Sequence, residues 1–279
     1  MIDDLLKAAV LGAVQGVTEF LPVSSTGHLI VVEDLLRADD DRFGLPFDAA
    51  AHLGTLAALL WFFGRTWLQL AGGGLRSLRE RSLAPPGARL AWLIALGTVP
   101  AAVAGFLFEG AIEEHLRSPV VVASMLIAFS AVFVAAEARG RATRSTAGLG
   151  PLDATIVGVA QAVALFPGVS RSGATICAGL LRDLERREAA TFAFLLSAPI
   201  IAGAALSEVV DVAPDFVDGT RGGSDFAVFA TGFAFAALTG YIAIRFLLRF
   251  LATNTLLPFV WYRVALGLAI LALAATGVL

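Results

Sequence analysis

Long apolar runs, separated by short stretches rich in glycine, proline and charged residues, dominate the chain. Read as helices, these runs give five pieces in each half of the sequence. The first half contains Leu5–Leu21, Gly27–Leu36, Phe47–Phe63, Leu90–Phe108 and Val120–Ala136. The second half contains Ala154–Phe166, Gly173–Leu181, Thr191–Leu206, Phe226–Leu248 and Pro258–Val278. Several runs approach the roughly 20 apolar residues that cross a bilayer, so the pattern predicts an all-α polytopic membrane protein.

The first two pieces of each half are short, and a polar cluster separates them. We call residues 22–28, PVSSTGH, the first tip, and residues 167–173, PGVSRSG, the second tip. Neither short piece comfortably crosses about 30 Å of hydrocarbon. Each pair is therefore predicted to form a re-entrant hairpin, while the other six pieces span the membrane. Irregular backbone at that depth is tolerated only inside protein or beside a wet cavity.

The two tips belong to an internal repeat. Residues 12–27 and 158–173 align without a gap at a spacing of 146, with seven identities in sixteen positions. The repeat predicts one membrane domain with halves at 1–137 and 153–279, joined by a cytoplasmic linker at 138–152. Because each half has an odd number of crossings, the second half is expected to be inverted. Inverted repeats with broken helices place their site near the midplane, where the halves meet.

Composition agrees with a membrane protein, and the distribution of charge indicates which loops lie on which side of the membrane. The 279-residue chain is 58% hydrophobic and only 15% charged, against about a quarter charged in soluble domains; a soluble all-helical core is the second interpretation. Arginines concentrate in the loops at 65–89 and 139–144, and acids in those at 39–41, 109–114 and 211–225. Basic loops stay in the cytoplasm, which predicts that both termini lie outside. The plasma membrane is the expected location. Nothing in the composition points to nucleic acid as a partner.

The tips bring together side chains suited to phosphate chemistry. The first hairpin offers Gln15, Glu19, Ser24, Ser25, Thr26 and His28, and the second offers Ser170, Arg171, Ser172 and Thr175. Helix N-termini after each tip would bind phosphate, and the planar fork of Arg171 suits phosphate oxygens. Glu19 would act as a base or metal ligand, and Ser25 or His28 would be the nucleophile. The nucleophile stays open at this point.

Simpler structural roles compete for each of these residues. The serines at 24 and 170 and Thr26 could be plain N-caps, and Glu19 with Arg171 could be an ion pair joining the repeats. His28 could be a core histidine, and Gln15 could bond between helices. Outside the tips, we expect Arg263 to extend to the membrane interface and His52 to pair with Asp48. The joint presence of acid, hydroxyls, histidine and arginine in matched segments favours the phosphate site.

The stretches QGVTEFLPVSSTGH and PGVSRSGAT resemble the two signature motifs of the undecaprenyl-pyrophosphate phosphatase family, also called the bacitracin-resistance family. Three further segments resemble the family in order: residues 47–59, 194–204 and 257–263. The resemblance implies hydrolysis of a polyprenyl pyrophosphate to the monophosphate and inorganic phosphate. It implies dependence on a divalent cation, Mg²⁺ or Ca²⁺, and recycling of a lipid carrier for cell-envelope glycan synthesis.

The resemblance also assigns roles to residues. The family's E/Q-x-x-x-E motif falls on Gln15 and Glu19. Because this chain has glutamine where some members have glutamate, Glu19 is the main acid for a metal ion, and a second ligand at Gln15 is left open. The family's serine and histidine fall on Ser25 and His28. Its P-G-x-S-R-S-x-x-T motif covers residues 167–175, and so implies substrate contacts by Ser170, Arg171, Ser172, Gly173 and Thr175. His52 stands where many members have glutamine.

The combined prediction is a membrane phosphatase whose site opens to the outer face. Its partners would be the bilayer and a polyprenyl pyrophosphate lipid, and association into a homodimer is left open. A lipid-carrier flippase or transporter is the alternative, because inverted repeats with re-entrant tips also suit alternating access. Binding alone does not need an acid, a hydroxyl and a histidine beside an arginine.

Overall fold

The computed structural model describes residues 1–38, 40–116 and 118–276, and within them the chain is helical. The first half contains α1 (Ile2–Phe20), α2 (Ser25–Leu36), α3 (Asp40–Phe43), α4 (Leu45–Phe62), α5 (Gly64–Glu80), α6 (Ala88–Leu116) and α7 (Pro119–Arg139). After a 3₁₀ turn at Thr146–Gly148 come α8 (Pro151–Val163), α9 (Arg171–Leu181), α10 (Arg186–Val217), α11 (Gly223–Phe250) and α12 (Leu257–Ala275).

All ten predicted helices are confirmed, mostly to within a few residues at each end. The largest differences are in α10, which continues to Val217 where the prediction ended at Leu206, and in α6, which continues to Leu116 where the prediction ended at Phe108. The predicted outer loops at 109–114 and 211–217 are therefore helical. Two helices were not predicted: the short α3, and α5, where arginines and three consecutive glycines indicated a loop. The predicted outer-loop residue Asp39 and the last predicted helical residues, 277–278, lie outside the described residues.

The described helices include enough apolar length for a multi-pass membrane protein. Five of them can each cross a bilayer: 88–108, 119–139, 186–210, 223–250 and 257–275. A sixth candidate is α4 taken together with α5, and the two are bent by 82° at their junction. Helices α1, α2, α8 and α9 are not among these candidates. Three of them are short, with 12, 13 and 11 residues in α2, α8 and α9. Helix α1 has 19 residues, as many as α12, so the prediction that it is too short to cross is wrong; its charged residues set it apart from the spanning candidates.

The two halves of the chain interlock through close glycine contacts. Helix α1 packs most extensively on α11, and α8 packs most extensively on α6. Gly12 of α1 faces Gly232 of α11, and Gly158 of α8 faces Gly97 of α6. The approach is so close that a Cβ at Gly12 or at Gly158 would overlap the facing backbone. Small residues let membrane helices approach in this way. Each short pair is thus held by a long helix from the other half.

An ion-pair network anchors the segment between the halves. Arg144 donates to Asp153 at 2.8 Å, and Arg182 donates to the same carboxylate at 2.7 Å. Burial alone would raise the pKa of Asp153, but hydrogen bonds from Arg144, the Gly150 N–H and Arg182 hold it well below the usual range. Asp153 is therefore ionised at neutral pH and ties the 138–152 segment to the start of α8.

Candidate active site

Both tips line one cavity of about 190 Å³. Its polar side chains come from α1, from the starts of α2 and α9 with the residue before each, and from one position each on α4 and α10. They are Thr18, Glu19, Ser24, Ser25, Thr26, His52, Ser170, Arg171 and Glu208. The lining also includes the apolar residues Leu165, Phe166 and Ile201. The cavity therefore combines groups that suit a charged ligand with groups that suit hydrocarbon.

The backbone turns in the same unusual way at the two tips. Ser24 has φ 71° and ψ 107°, and Ser170 has φ 76° and ψ 114°. The two residues are equivalent positions of the repeat, and residues with a side chain rarely adopt such positive φ values. Each turn starts a helix whose first residue, Ser25 or Arg171, lines the cavity. Two helix N-termini, whose first N–H groups have no partner within the helix, thus lie beside the same space.

Glu19 is the centre of the polar cluster. Ser25 Oγ donates to Glu19 Oε2 at 2.9 Å, and Gln15 Nε2 donates to the same oxygen at 3.2 Å. Arg171 Nη1 lies 3.6 Å from Glu19 Oε1, which makes an ion pair across the two tips but exceeds the usual hydrogen-bond distance. Nη1 is buried and has no hydrogen-bond partner. Arg171 can therefore donate to a third group, such as a phosphate oxygen.

His28 faces away from this cluster. Because a carbonyl can only accept, the 2.7 Å contact with the Ser24 carbonyl requires a proton on His28 Nδ1. In the neutral ring Nε2 then accepts from the Tyr262 hydroxyl at 2.6 Å. The two rings are stacked, with an interplanar angle of 5°. Both ring nitrogens are thus engaged, and His28 is not part of the cavity wall.

Three further predicted site residues, Ser172, Gly173 and Thr175, lie in or next to the second tip but do not line the cavity. Ser172 Oγ donates to the Leu21 carbonyl at 3.0 Å and so joins the second tip to the end of α1, one residue before the first tip. Thr175 Oγ1 donates to the Arg171 carbonyl at 2.8 Å, within α9. Gly173 packs against the ring of Phe133, where a side chain would not fit. These residues shape the tip without lining the cavity.

Ser170 and Ser24 differ as helix caps. The Ser170 hydroxyl accepts from the Gly173 N–H at 3.2 Å, which is an N-cap bond, while Ser24 makes no side-chain cap bond. The N-cap role predicted as an alternative is therefore present at Ser170. Both residues also line the cavity.

The structure contradicts the prediction that Arg263 extends to the membrane interface. Its side chain is fully buried, 4.8 Å above the ring of Phe133, and donates to the Gly168 carbonyl at 3.0 Å. A second bond goes to the Leu126 carbonyl at 3.3 Å. The prediction failed because α12 packs on α7, which supplies a ring and a carbonyl in place of water. Tyr262 and Arg263 are consecutive, and each contacts a different tip.

Two ionisable cavity residues, His52 and Glu208, were not in the predicted site. His52 lies on α4 and Glu208 on α10. The available signal was that both are ionisable residues in mainly apolar helices, which by itself indicates a functional position. The predicted pairing of His52 with Asp48 stays a prediction.

The donor set near Glu19 fits a hard cation only in part. The Gln15 Oε1 atom is buried without a hydrogen-bond partner, and it adjoins the Glu19 carboxylate. Within the described part of the chain, no group of three His, Cys, Asp or Glu side chains could hold a metal ion. Mg²⁺ is commonly bound by one or two protein oxygens together with substrate phosphates. Glu19 and Gln15 fit that mode better than a cage made by protein alone.

Comparisons with known proteins agree on one family. The family model described as "Bacitracin resistance protein BacA" matches residues 8–269. A protein of Rubrobacter xylanophilus is 50% identical over 271 residues, covering 97% of this chain and 98% of its own. Proteins of Pelobacter propionicus and Trichlorobacter lovleyi are 43% and 44% identical and cover 99% of both chains. All three relatives carry the name undecaprenyl-diphosphatase.

Proposed function

The chain belongs to the bacitracin resistance protein BacA family, and from this premise we propose that it is an undecaprenyl-diphosphatase. It hydrolyses undecaprenyl pyrophosphate to the monophosphate and inorganic phosphate, and so recycles the lipid carrier of cell-envelope glycan synthesis. The observation that carries the proposal is the hydrogen bond of Ser25 to Glu19, 2.9 Å long, opposite a guanidinium from the other tip. This arrangement pairs a nucleophile and base with a phosphate-binding group.

The cavity matches an amphiphilic substrate. The diphosphate would lie between the N-termini of α2 and α9, where backbone N–H groups and Arg171 donate to its oxygens. Ser24, Thr26 and Ser170 add hydroxyl donors from the cavity wall. The first prenyl units would contact the apolar lining residues Phe166 and Ile201.

Ser25 is the nucleophile in the mechanism that this geometry favours. Its proton passes to Glu19 as the Ser25 oxygen bonds to the terminal phosphorus, and the bond from phosphorus to the bridging oxygen breaks. The electron pair leaves on prenyl monophosphate, which takes the proton from Glu19 and so restores the carboxylate. Glu19 then deprotonates a water that attacks the phosphoserine. The bond from phosphorus to the Ser25 oxygen breaks, inorganic phosphate is released, and Glu19 returns the proton to Ser25. Arg171 and the two helix N-termini stabilise the charge on the transferring oxygens.

A divalent cation fits this scheme beside Glu19 and Gln15. When bound, it would neutralise charge on the phosphate oxygens. Gln15 meanwhile orients the Glu19 carboxylate through its amide N–H, at 3.2 Å. In this scheme His28 and Ser172 hold the tips and do not touch phosphorus.

We extend the proposal to membrane topology. Six spans and two re-entrant hairpins, α1–α2 and α8–α9, would form an inverted repeat with halves at 1–137 and 153–279. The arginine-rich loops support a cytoplasmic position for the linker, which puts both termini outside and opens the site to the outer face. The matched backbone of Ser24 and Ser170 supports the repeat.

Phosphate release from farnesyl diphosphate in detergent with Mg²⁺ tests the activity. Glu19→Gln and Arg171→Lys should each slow release by at least about 100-fold, because each removes a group that acts in the transition state. Ser124→Ala, at an exposed position on α7, is the matched control and should be unchanged. Wild type that binds the lipid without releasing phosphate would refute the enzyme, and fully active variants would refute the site.

A rapid-quench experiment separates the two candidate nucleophiles. With substrate labelled on its terminal phosphate, a phosphoserine survives acid, whereas a phosphohistidine survives alkali and is lost in acid. We expect acid-stable label in wild type and in His28→Gln, and none in Ser25→Ala. Alkali-stable, acid-labile label that disappears in His28→Gln would assign the attack to His28 instead.

A further inference from the structure

Helix α5 runs at nearly a right angle to the helix before it. The bend between α4 and α5 is 82°. If α4 crosses the bilayer, α5 therefore lies along the membrane surface. It is fixed there by the start of α6: Gly73 packs against residues 86–88, and Trp92 Nε1 donates to Ser77 Oγ at 2.8 Å.

The side chains of α5 separate into three faces. At 100° per residue, each face occupies a sector of about 60–80°. Leu70, Gly73 and Ser77 form the face that is buried against the protein. Leu68, Leu75 and Leu78 form a second face and are exposed by 76%, 69% and 63%. The third face consists of Arg65, Arg76 and Arg79, all exposed.

This division matches a helix that lies between protein, hydrocarbon and charged head groups. Helices with an apolar face beside a basic one lie in the plane of the membrane interface. Each arginine near an anionic lipid surface contributes about 1 kcal/mol of attraction. The only acid on α5 is Glu80, at its last turn, so the basic face has a net positive charge. Its charge complements a phosphate head group, while the leucines beside it need acyl chains.

We propose that α5 is an in-plane helix that binds anionic phospholipids of the leaflet on which it lies. Leu68, Leu75 and Leu78 enter the acyl region, and the three arginines contact head-group phosphates. The proposal does not depend on the reaction, because α5 contributes no side chain to the cavity between the tips.

A fluorescent label on the leucine face tests the proposal. Because Cys177 is buried, a Leu75→Cys variant can be labelled selectively with a polarity-sensitive maleimide. Phosphatidylglycerol titrated into the labelled protein in neutral detergent should shift the emission to the blue, and phosphatidylcholine should do so only weakly. Combining the label with Arg65→Gln, Arg76→Gln and Arg79→Gln should weaken the apparent affinity for phosphatidylglycerol by up to about 100-fold.

The control variant also removes three arginine charges, but from helices other than α5. Arg139→Gln, Arg245→Gln and Arg249→Gln neutralise three exposed arginines at the ends of α7 and α11, and should leave the affinity near that of wild type. An equal loss in both triple variants would overturn the proposal, because it would show attraction by total charge. A label that stays in a polar environment, or an equal response to soluble glycerol phosphate, would also overturn it. Unchanged phosphate release in neutral detergent shows that each variant is folded.

Discussion

At the scale of single residues, two serines carry backbone strain at the site. Ser24 and Ser170 have φ values of 71° and 76°, and such conformations cost about 1–3 kcal/mol each. They are restrained differently: the Ser24 carbonyl accepts from the His28 ring, whereas the Ser170 hydroxyl caps α9. Strain of this kind persists where the surrounding structure enforces it. Here it turns each helix start toward the cavity.

Comparing Ser24→Gly with Ser24→Ala should separate the effect of backbone strain on stability from the effect of losing the hydroxyl. Ser24→Gly removes the Cβ penalty and should raise the free energy of unfolding by about 1 kcal/mol. Ser24→Ala keeps the Cβ and should give no such gain, while both variants lose the hydroxyl that lines the cavity. Thermal unfolding in detergent measures the difference. Equal stability of the two variants would show that the turn at Ser24 is unstrained.

At the scale of elements, α12 positions both tips with two consecutive side chains. Tyr262 reaches His28 at 2.6 Å, and Arg263 reaches the Gly168 carbonyl of the second tip at 3.0 Å. Gly168 has φ 92°, and a side chain there would overlap the Val122 carbonyl of α7. The separation between Ser25 and Arg171 thus depends on a helix that itself contributes nothing to the cavity wall.

Substitution of Arg263 should show that stability and kcat depend on the planar guanidinium group and not only on its positive charge. Arg263→Met leaves the Gly168 carbonyl without its donor and removes one of the donors to the Leu126 carbonyl, and should cost about 1–3 kcal/mol of stability and lower kcat. Arg263→Lys keeps the charge but cannot reproduce the fork over Phe133, so it should not restore kcat. Steady-state kinetics with farnesyl diphosphate and melting curves measure both quantities. Full rescue by lysine would contradict this role.

At the scale of the whole molecule, the halves are held together by crossed helix pairs. The facing glycines bring α1 onto α11 and α8 onto α6. Each tip therefore rests on the opposite half, and the cavity cannot form from one half alone.

A methyl group added at Gly12 should weaken the packing of α1 on α11. The Cβ of Gly12→Ala would overlap the Gly232 carbonyl, and we expect a loss of about 1–3 kcal/mol. Gly105→Ala is the matched control in α6, because nothing lies within 4 Å of its Cβ position. There alanine should stabilise the helix by about 0.5–1 kcal/mol. Equal melting temperatures of the two variants would contradict the close approach.

The network at Asp153 should make stability depend on pH. Since its pKa is lowered in the folded chain, its contribution is complete above the ordinary aspartate pKa of about 4 and is lost as the pH falls through the folded value. Asp153→Asn should therefore be less stable than wild type at pH 7, by about 1–3 kcal/mol. The difference should shrink below pH 4. Unfolding free energies across this range test it, and a difference independent of pH would contradict the prediction.

The amino-acid sequence by itself determined the helices, the two tips and the residue types of the site. Apolar runs and breakers are local signals, and they placed every long helix except α5, whose glycines and arginines resemble a loop. The repeat spacing of 146 residues also pairs Ser24 with Ser170 from the sequence alone. The motif residues Glu19, Ser25 and Arg171 do line one cavity.

Only the tertiary structure decided which way the remaining side chains face. His28 turns to Tyr262, which is 234 residues away in the chain, and Arg263 turns inward to Gly168. His52 and Glu208 reach the cavity from α4 and α10. These orientations depend on how closely helices distant in sequence approach one another, and that approach is set by glycines and packing across the two halves. A pattern along one helix carries no information about the face of its distant neighbour.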